Sequence, residues 1–222
     1  MSSSSFDEGI EAEIPALFFM FSGADDSQQA CGVDNVATFT LPDPAGKSGG
    51  ACTTALLQVL YNDEEDVQVD LSWVETLNAM HEKIQEIGLP QVPQLSSSRM
   101  IDLEETMQIV PDGYEGTKRA LLIGINYTGE ANALTSCHND VRNIKDFLMK
   151  VHGFQRDEML ILMDDGKHHE PTKKMIMDGF RRLTEISEPG DVVFVQFSGT
   201  YSTSRLSHTS YIIPFILYCI GG

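Results

Sequence analysis

Residues 119–125 read Arg-Ala-Leu-Leu-Ile-Gly-Ile, and residues 191–198 read Asp-Val-Val-Phe-Val-Gln-Phe-Ser. Both are short, mainly apolar runs of the kind found in buried β-strands. A third run, Met159–Met163, lies between them in the sequence. Strands that alternate with helical patterns at this spacing favour parallel pairing with right-handed crossovers. The sequence therefore predicts an α/β fold.

Each gap between these strands carries a predicted amphipathic helix. The first begins around residues 138–140, and the second follows Pro171-Thr172. Apolar residues recur at helical spacing along one face of each helix. These faces consist of Val141, Ile144, Leu148 and Val151 in the first helix and of Ile176, Phe180, Leu183 and Ile186 in the second.

The N-terminal half contains a separate set of predicted elements. An aromatic-rich run at residues 14–21 is typical of a buried strand, and residues 51–61 and 71–87 have helical periodicity. A Pro- and Ser-rich stretch at residues 90–98 precedes an acidic segment. This composition predicts a linker, with a boundary between the two halves near residues 105–116.

The two halves differ in electrostatic character. The chain of 222 residues has a net charge of −18; residues 1–110 hold 19 acidic and 3 basic side chains (net −16), whereas residues 111–222 hold 14 and 12 (net −2). A field this negative repels nucleic acids and anionic membranes and favours cationic partners. The alternative is an acidic surface that serves solubility alone.

Cysteine usage and terminal segments indicate a reducing compartment. Cys31, Cys52, Cys137 and Cys219 show neither a CxxC motif nor the spacing of metal ligands, which argues against a disulfide framework or a zinc site. The N-terminus lacks the basic and apolar regions of a secretory signal. The apolar run at residues 211–220 is shorter than the roughly 20 residues that span a bilayer. We therefore expect a cytoplasmic protein.

Several motifs in the C-terminal half occur in a recognisable order. They are Lys118-Arg-Ala-Leu-Leu-Ile-Gly-Ile-Asn-Tyr127, Leu134-Thr-Ser-Cys-His-Asn-Asp-Val141, Gly153-Phe154, Ile161-Leu-Met-Asp-Asp165, Pro171-Thr172, Pro189-Gly-Asp191 and Phe197-Ser-Gly199. In this order they resemble the first half of the large subunit of metacaspases, which are caspase-like cysteine endopeptidases. The resemblance implies a caspase-like sheet with helices on both faces. The sheet is expected to be incomplete, because only the first half of the large-subunit pattern is recognised.

The N-terminal half resembles the small subunit of the same family. The similarity rests on Phe21-Ser-Gly-Ala-Asp-Asp-Ser-Gln28, Gly49-Gly-Ala-Cys-Thr-Thr-Ala55 and Pro93-Gln-Leu-Ser-Ser-Ser98. A small-subunit region that precedes the large-subunit region is the arrangement called type III. The implied organisation is a small-subunit-like region at 1–105, a linker at 106–116, the first half of a large-subunit domain at 117–199 and a non-family tail at 200–222.

The resemblance also implies which catalytic residues to expect. The family's catalytic histidine lies in Ser-Gly-His-Gly, and Thr200 stands at that position here. Threonine has no group that titrates near neutral pH and cannot transfer the proton. The family's nucleophilic cysteine follows several dozen residues later and is not reached in this sequence. We therefore expect a truncated pseudoenzyme that is a cysteine-type endopeptidase by family and inactive in proteolysis.

Other cysteines offer weaker candidates for a nucleophile. Cys137 and His138 are adjacent, and neighbouring residues of a helix point in different directions. Cys52 lies near a predicted helix start, where its pKa could be lowered, but a small buried residue is the simpler interpretation. His208 and Cys219 lie in the tail, where we recognise no family motif.

The resemblance further implies part of a substrate pocket. Metacaspases cleave after Arg or Lys, and Asp140 matches the family's acidic pocket residue, with Cys137 and Ser198 at two further pocket positions. A carboxylate in such a pocket favours a cationic side chain. A second interpretation stays open, in which Asp140 caps or charges the first turn of its helix. The expected partners are cationic peptides or proteins.

Calcium and a protein partner enter as further expectations. Family members are commonly activated by calcium, although their ligands lie mainly in segments not recognised here. Asp164-Asp165 could bind a hard cation loosely or form a solvated turn. The resemblance leaves a strand position unfilled, which the run at 211–220 could occupy although Pro214 opposes a central strand. An alternative function is therefore a non-catalytic partner of full-length metacaspases.

Overall fold

The computed structural model describes residues 16–23, 32–34, 48–62, 67–131, 133–201, 211–212 and 215–220. Its helices are α1 (Ala51–Leu60), α2 (Trp73–Glu86), α3 (Cys137–Lys150) and α4 (Lys173–Ile186), with a short 3₁₀ helix at Arg156–Glu158. Its strands are β1 (Leu17–Ser22), β2 (Gly32–Asp34), β3 (Ser48–Gly50), β4 (Tyr61–Asn62), β5 (Val67–Gln68), β6 (Gln94–Ser97), β7 (Lys118–Gly124), β8 (Met159–Met163), β9 (Val192–Ser198), β10 (Thr200–Tyr201), β11 (Tyr211–Ile212) and β12 (Phe215–Ile220).

A six-stranded sheet organises both halves of the chain, in the order β6-β1-β12-β9-β7-β8. The strands β8, β7 and β9 are parallel to one another, as the alternating pattern predicts. The other contacts, from β9 to β12, from β12 to β1 and from β1 to β6, are antiparallel. The prediction of an α/β fold with parallel strands is confirmed.

The strand β12 joins the two halves of the sheet. It pairs with β9 on one side, where Phe215 lies opposite Phe197, and with β1 on the other, where Phe215 lies opposite Ser22. In the sequence, Pro214 precedes Phe215, the first residue of the strand. The strand position that we expected to be unfilled is thus occupied by residues 215–220.

Helices cover both faces of the sheet, as expected. On one face, α1, α2 and α3 share an apolar core with Ala120 and Leu122 of β7 and Phe194 of β9. On the other face, α4 packs on the alternate residues of the same strands, including Leu121 and Val195. Alternation of side chains along each strand separates these two cores. Among the described residues, no helix has the length and apolar character needed to cross a membrane.

The N-terminal half is anchored by aromatic and capping interactions. The ring of Trp73 in α2 stacks on Phe19 of β1, with ring centroids 4.1 Å apart. Ser72 and Glu75 form a capping box, in which each side chain accepts a hydrogen bond from the backbone N–H of the other. These contacts fix α2 against the sheet and satisfy two of the N–H groups at its first turn.

The stretch between the two halves includes a β-strand and residues that are buried in the core. Within the Pro- and Ser-rich stretch, residues 94–97 form the edge strand β6, so the prediction of a linker is wrong for these residues. Met107 and Ile109 are buried in the core, and the N–H of Met107 donates to the carbonyl of Leu71. The connection therefore packs along α2 instead of separating two independent bodies.

Candidate functional site

The carboxyl ends of three parallel strands meet on one edge of the sheet. Strands β7, β8 and β9 end there at Gly124, Met163 and Ser198, and α3 begins beside them at Cys137. In open α/β sheets, ligands bind at this edge. The three residues that the resemblance places in a substrate pocket, Cys137, Asp140 and Ser198, all lie at this position.

Asp140 is the central residue of the site and is completely buried. Its Oδ2 accepts a hydrogen bond of 2.5 Å from the Ser198 hydroxyl, and its Oδ1 accepts one of 2.7 Å from the backbone N–H of Gly50. The carboxylate thereby connects α3 to β9 and to the junction between β3 and α1. No side chain caps the start of α3, so Asp140 does not act as a cap, but it lies in the first turn of the helix as the second interpretation also allowed.

Burial controls the protonation of this carboxyl group. It raises the pKa of Asp140 to about 7, although the hydrogen bonds from Ser198 and Gly50 act in the opposite direction. The group is therefore divided between its charged and neutral forms near neutral pH. A nearby cation would favour the charged form.

The two described cysteines beside Asp140 are poor nucleophiles. Burial raises the pKa of both the Cys137 and the Cys52 thiol to about 12, and the negative charge of Asp140 adds to the effect. Reaction requires the thiolate form, and a raised pKa lowers the fraction of thiolate at neutral pH. The imidazole of His138 does not serve Cys137, because its Nε2 lies 2.6 Å from Oδ1 of Asp164.

Known proteins resemble this chain in sequence over much of its length. The sequence model of the family described as "Metacaspase, peptidase C14 domain" matches residues 118–211. Metacaspase III c of Phaeodactylum tricornutum is 45% identical over 193 residues, which cover 86% of this chain and 56% of that protein. Metacaspase-1B of Aspergillus fumigatus is 45% identical over 86 residues, covering 38% of this chain and 21% of that protein.

This chain belongs to the metacaspase family. The match to the Phaeodactylum protein is longer than either half of the chain, so it includes parts of both halves. The chain spans about half the length of that relative. The family match also extends beyond Gly199, where the recognised motifs end.

Sequence reasoning missed one member of this metacaspase site, Gly50. A Cβ atom at this position would lie 2.6 Å from Oδ2 of Asp140, closer than real side chains approach. Only glycine therefore allows the backbone to come near enough for its N–H to donate to the carboxylate. The available signal was the glycine pair Gly49-Gly50 directly before a predicted helix, since paired glycines often mark a close approach of the backbone.

A second group of carboxylates lies after β8. Asp164 accepts hydrogen bonds from the N–H groups of Asn126 and Thr128, and Asp165 accepts them from the N–H groups of Lys167 and His168. These carboxylates are occupied by protein donors. The pair lies in a hydrogen-bonded turn, but its side chains are only 15% and 12% exposed, so the turn is less solvated than expected.

The described residues do not fit a calcium site. Within the part of the chain that the structure describes, no three His, Cys, Asp or Glu side chains converge in a way that could hold a metal ion. Asp25, Asp26, Cys31 and His208 lie outside the described residues, as do the side chains of Thr200 and Cys219.

Proposed function

We propose that this metacaspase chain recognises the cationic side chain of an arginine or lysine residue in a peptide through Asp140. This is the substrate-recognition function of a cysteine-type endopeptidase with Arg/Lys specificity. The observation that carries the proposal is a buried carboxylate, held by Ser198 and Gly50, at the carboxyl ends of parallel strands. A buried carboxylate without a cationic side chain beside it is costly, and a bound cation would offset that cost.

The hydrogen-bonding capacity of Asp140 leaves room for such a ligand. An ionised carboxylate has about four acceptor sites, and Gly50 and Ser198 use two of them. A guanidinium or ammonium group would donate to the remaining sites in charge-assisted hydrogen bonds. Since Asp140 is completely buried, binding also requires a local movement of the residues that cover it.

We further propose that the 222-residue chain binds without cleaving. Thr200 stands where the family resemblance places the catalytic histidine, and it cannot act as a general base. The described cysteines near Asp140 are protonated and buried. A dependence on calcium remains part of this proposal on the family resemblance alone, and a cytoplasmic location on the cysteine usage of the sequence.

A role as a non-catalytic partner of full-length metacaspases has weaker support. It rested on an unfilled strand position, and β12 occupies that position. The buried Asp140 site remains as the other possible contact, through a cationic segment of the partner. Binding of a cationic peptide at Asp140 is therefore the property to measure first.

The decisive experiment measures peptide binding and cleavage by the purified chain. Fluorescein-labelled peptides that differ only in a terminal Arg, Lys or Gln are titrated by fluorescence anisotropy, with and without millimolar calcium. We expect binding of the Arg and Lys peptides, weak binding of the Gln peptide, and a loss of about tenfold or more in Asp140→Asn, because a buried charge pair loses one partner. Asp146→Asn is the matched control, since Asp146 is an exposed carboxylate on the same helix.

Two outcomes would contradict the proposal. Equal affinity for the cationic and neutral peptides, or unchanged binding in Asp140→Asn, would remove the role of Asp140. Turnover of fluorogenic Arg or Lys peptides that disappears in Cys137→Ala would show that the chain cleaves and that Cys137 is the nucleophile.

A further inference from the structure

Gln196 is a polar residue in the middle of a core strand. It lies in β9 between Phe194 and Ser198 on the same face of the sheet, and its side chain is completely buried. The residues across from it in the sheet are Leu122 of β7 and Ile216 of β12, which offer no polar side chain.

The amide group of Gln196 has no partner among the described residues. Neither its Nε2 nor its Oε1 accepts or donates a hydrogen bond there. A buried amide without partners lowers stability, whereas a methionine or leucine would fill the same space without this cost. Packing alone therefore gives no reason for glutamine at this position, and an unsatisfied buried group of this kind calls for a ligand or another partner.

The position of Gln196 relates it to Asp140. Two residues of a strand span about 6.6 Å, so Gln196 lies that far below Ser198, whose hydroxyl contacts Asp140. Along α3, which packs against β9, one turn from Asp140 to Ile144 covers about 6 Å in the same direction. The amide thus lies on the inner side of the carboxylate, away from the edge of the sheet at which a ligand enters.

A guanidinium group has more donors than one carboxylate can satisfy. It carries five N–H groups in a planar fork, of which a carboxylate takes two. A lysine ammonium has three donors at a single nitrogen and does not reach as far past the carboxylate. An acceptor placed beyond Asp140 would therefore distinguish the two cations.

We infer that Gln196 is a specificity-determining residue whose Oε1 accepts a hydrogen bond from the distal end of a bound arginine side chain. The inference rests on the proposed function, because it requires a cation at Asp140. It assigns to the site a preference for arginine over lysine and names the atom responsible. The ligand class is a peptide with an accessible arginine residue.

The test compares arginine and lysine peptides in Gln196→Met, a substitution that keeps the length of the side chain and removes its hydrogen bonds. The full chain is titrated with the same labelled Arg and Lys peptides. We expect affinity for the Arg peptide to fall about tenfold, as for a lost hydrogen bond to a charged group, and affinity for the Lys peptide to stay unchanged. Thermal unfolding checks that the variant is folded.

Thr76→Val provides the matched control. Thr76 is also completely buried, and its Oγ1 has no hydrogen-bond partner among the described residues, but it lies in α2 away from the site. Removing this hydroxyl should raise stability without changing the ratio of Arg to Lys affinity. A change in that ratio in Thr76→Val would assign the effect to general stability and overturn the inference.

The remaining outcomes separate this inference from the proposed function. If Gln196→Met changes both affinities equally, or neither of them, while Asp140→Asn abolishes binding, the role of Gln196 is wrong and the role of Asp140 stands. If the unmodified chain binds neither peptide, both are wrong.

Discussion

Two acidic sites at the same edge of the sheet, Asp140 and the pair Asp164-Asp165, behave in opposite ways. Asp140 has a pKa raised to about 7, because complete burial disfavours its charged form. Asp165 is also subject to desolvation, but hydrogen bonds from the N–H groups of Lys167 and His168 and from the His168 ring outweigh it and lower its pKa to about 2. Hydrogen bonds from Asn126, His138 and Thr128 likewise outweigh desolvation and lower the pKa of Asp164.

The difference shows which carboxylate is available to a ligand. The loop after β8 satisfies its own charges with local donors, so a cation would gain little there. Asp140 receives two donors from distant parts of the chain and keeps a large desolvation cost. A ligand cation is therefore expected to act on Asp140 and not on the Asp164-Asp165 pair, although both lie at the ends of parallel strands.

The largest expected effect is on the pH dependence of stability at Asp140. Because its pKa is near 4 in the unfolded chain and about 7 in the folded one, the folded protein binds an additional proton between these values. Stability should therefore fall as the pH rises from about 4 to about 7. In Asp140→Asn this loss should be absent, so that the variant gains stability relative to the unmodified protein from pH 5 to pH 8.

Urea unfolding at each pH measures this difference. The neighbouring thiols of Cys52 and Cys137 stay protonated over the whole range and do not contribute. Burial lowers the pKa of His152 to about 4, which acts in the opposite direction, but His152 is present in both proteins and cancels in the comparison. A difference between the two proteins that does not change with pH would contradict the raised pKa.

A smaller effect is expected when the backbone approach to Asp140 is blocked. Gly50→Ala would place a Cβ atom 2.6 Å from Oδ2 of Asp140 and push β3 away from the carboxylate. Loss of the Gly50 hydrogen bond should cost about 1–3 kcal/mol in the free energy of unfolding, and peptide affinity should fall with it. Denaturant titration and fluorescence anisotropy measure the two effects.

Gly166→Ala is the matched control for this substitution. Gly166 has a φ of +71° and open space around its Cβ position, so alanine there is strained by its backbone alone. It should cost about 1–2 kcal/mol and leave peptide affinity unchanged. Equal loss of affinity in both variants would mean that Gly50 has no specific relation to Asp140.

The smallest effect is expected at the Asp164-Asp165 pair, whose carboxylates accept hydrogen bonds from nearby N–H groups. Asp165→Asn should reduce stability at neutral pH by about 1 kcal/mol, since the neutral amide is a weaker acceptor for two N–H groups and for His168. The pKa of this carboxyl group is depressed in the folded state, so its contribution is present above about pH 4 and is lost as the pH falls toward 2. Acid titration followed by circular dichroism should show the stability of the variant and that of the unmodified protein converging as the pH falls toward 2.

Local patterns predicted most of the elements in the C-terminal half. The strand Met159–Met163 has the predicted bounds, and α3 begins within one residue of the expected start. The periodic spacing of apolar residues within each element is a local property of the sequence, so these elements can be predicted without knowledge of the fold. The family resemblance assigned Asp140 and Ser198 to one pocket without predicting a contact between them, and the structure shows a hydrogen bond between their side chains.

Long-range contacts were not readable in the same way. The N–H of Gly50 reaches Asp140 across 90 residues of sequence, and a backbone donor leaves no side-chain signal. In the sequence, Gln196 is one polar residue in an apolar run. Its lack of hydrogen-bond partners among the described residues depends on which strands lie beside it, so it could not be foreseen. The same limit applied to β12, whose partner β1 is distant in sequence and whose preceding proline argued against a central strand.

The position of β12 has a consequence for how the protein forms during synthesis. This strand lies between residues 17–22 and residues 192–198, so the sheet is continuous only when residues 215–220 are in place. While these residues are still within the ribosome, β1 and β9 each present an open edge, and contacts of such sequence separation form slowly. The nascent chain must therefore keep two aggregation-prone strands apart until the last-made of these segments emerges and closes the sheet.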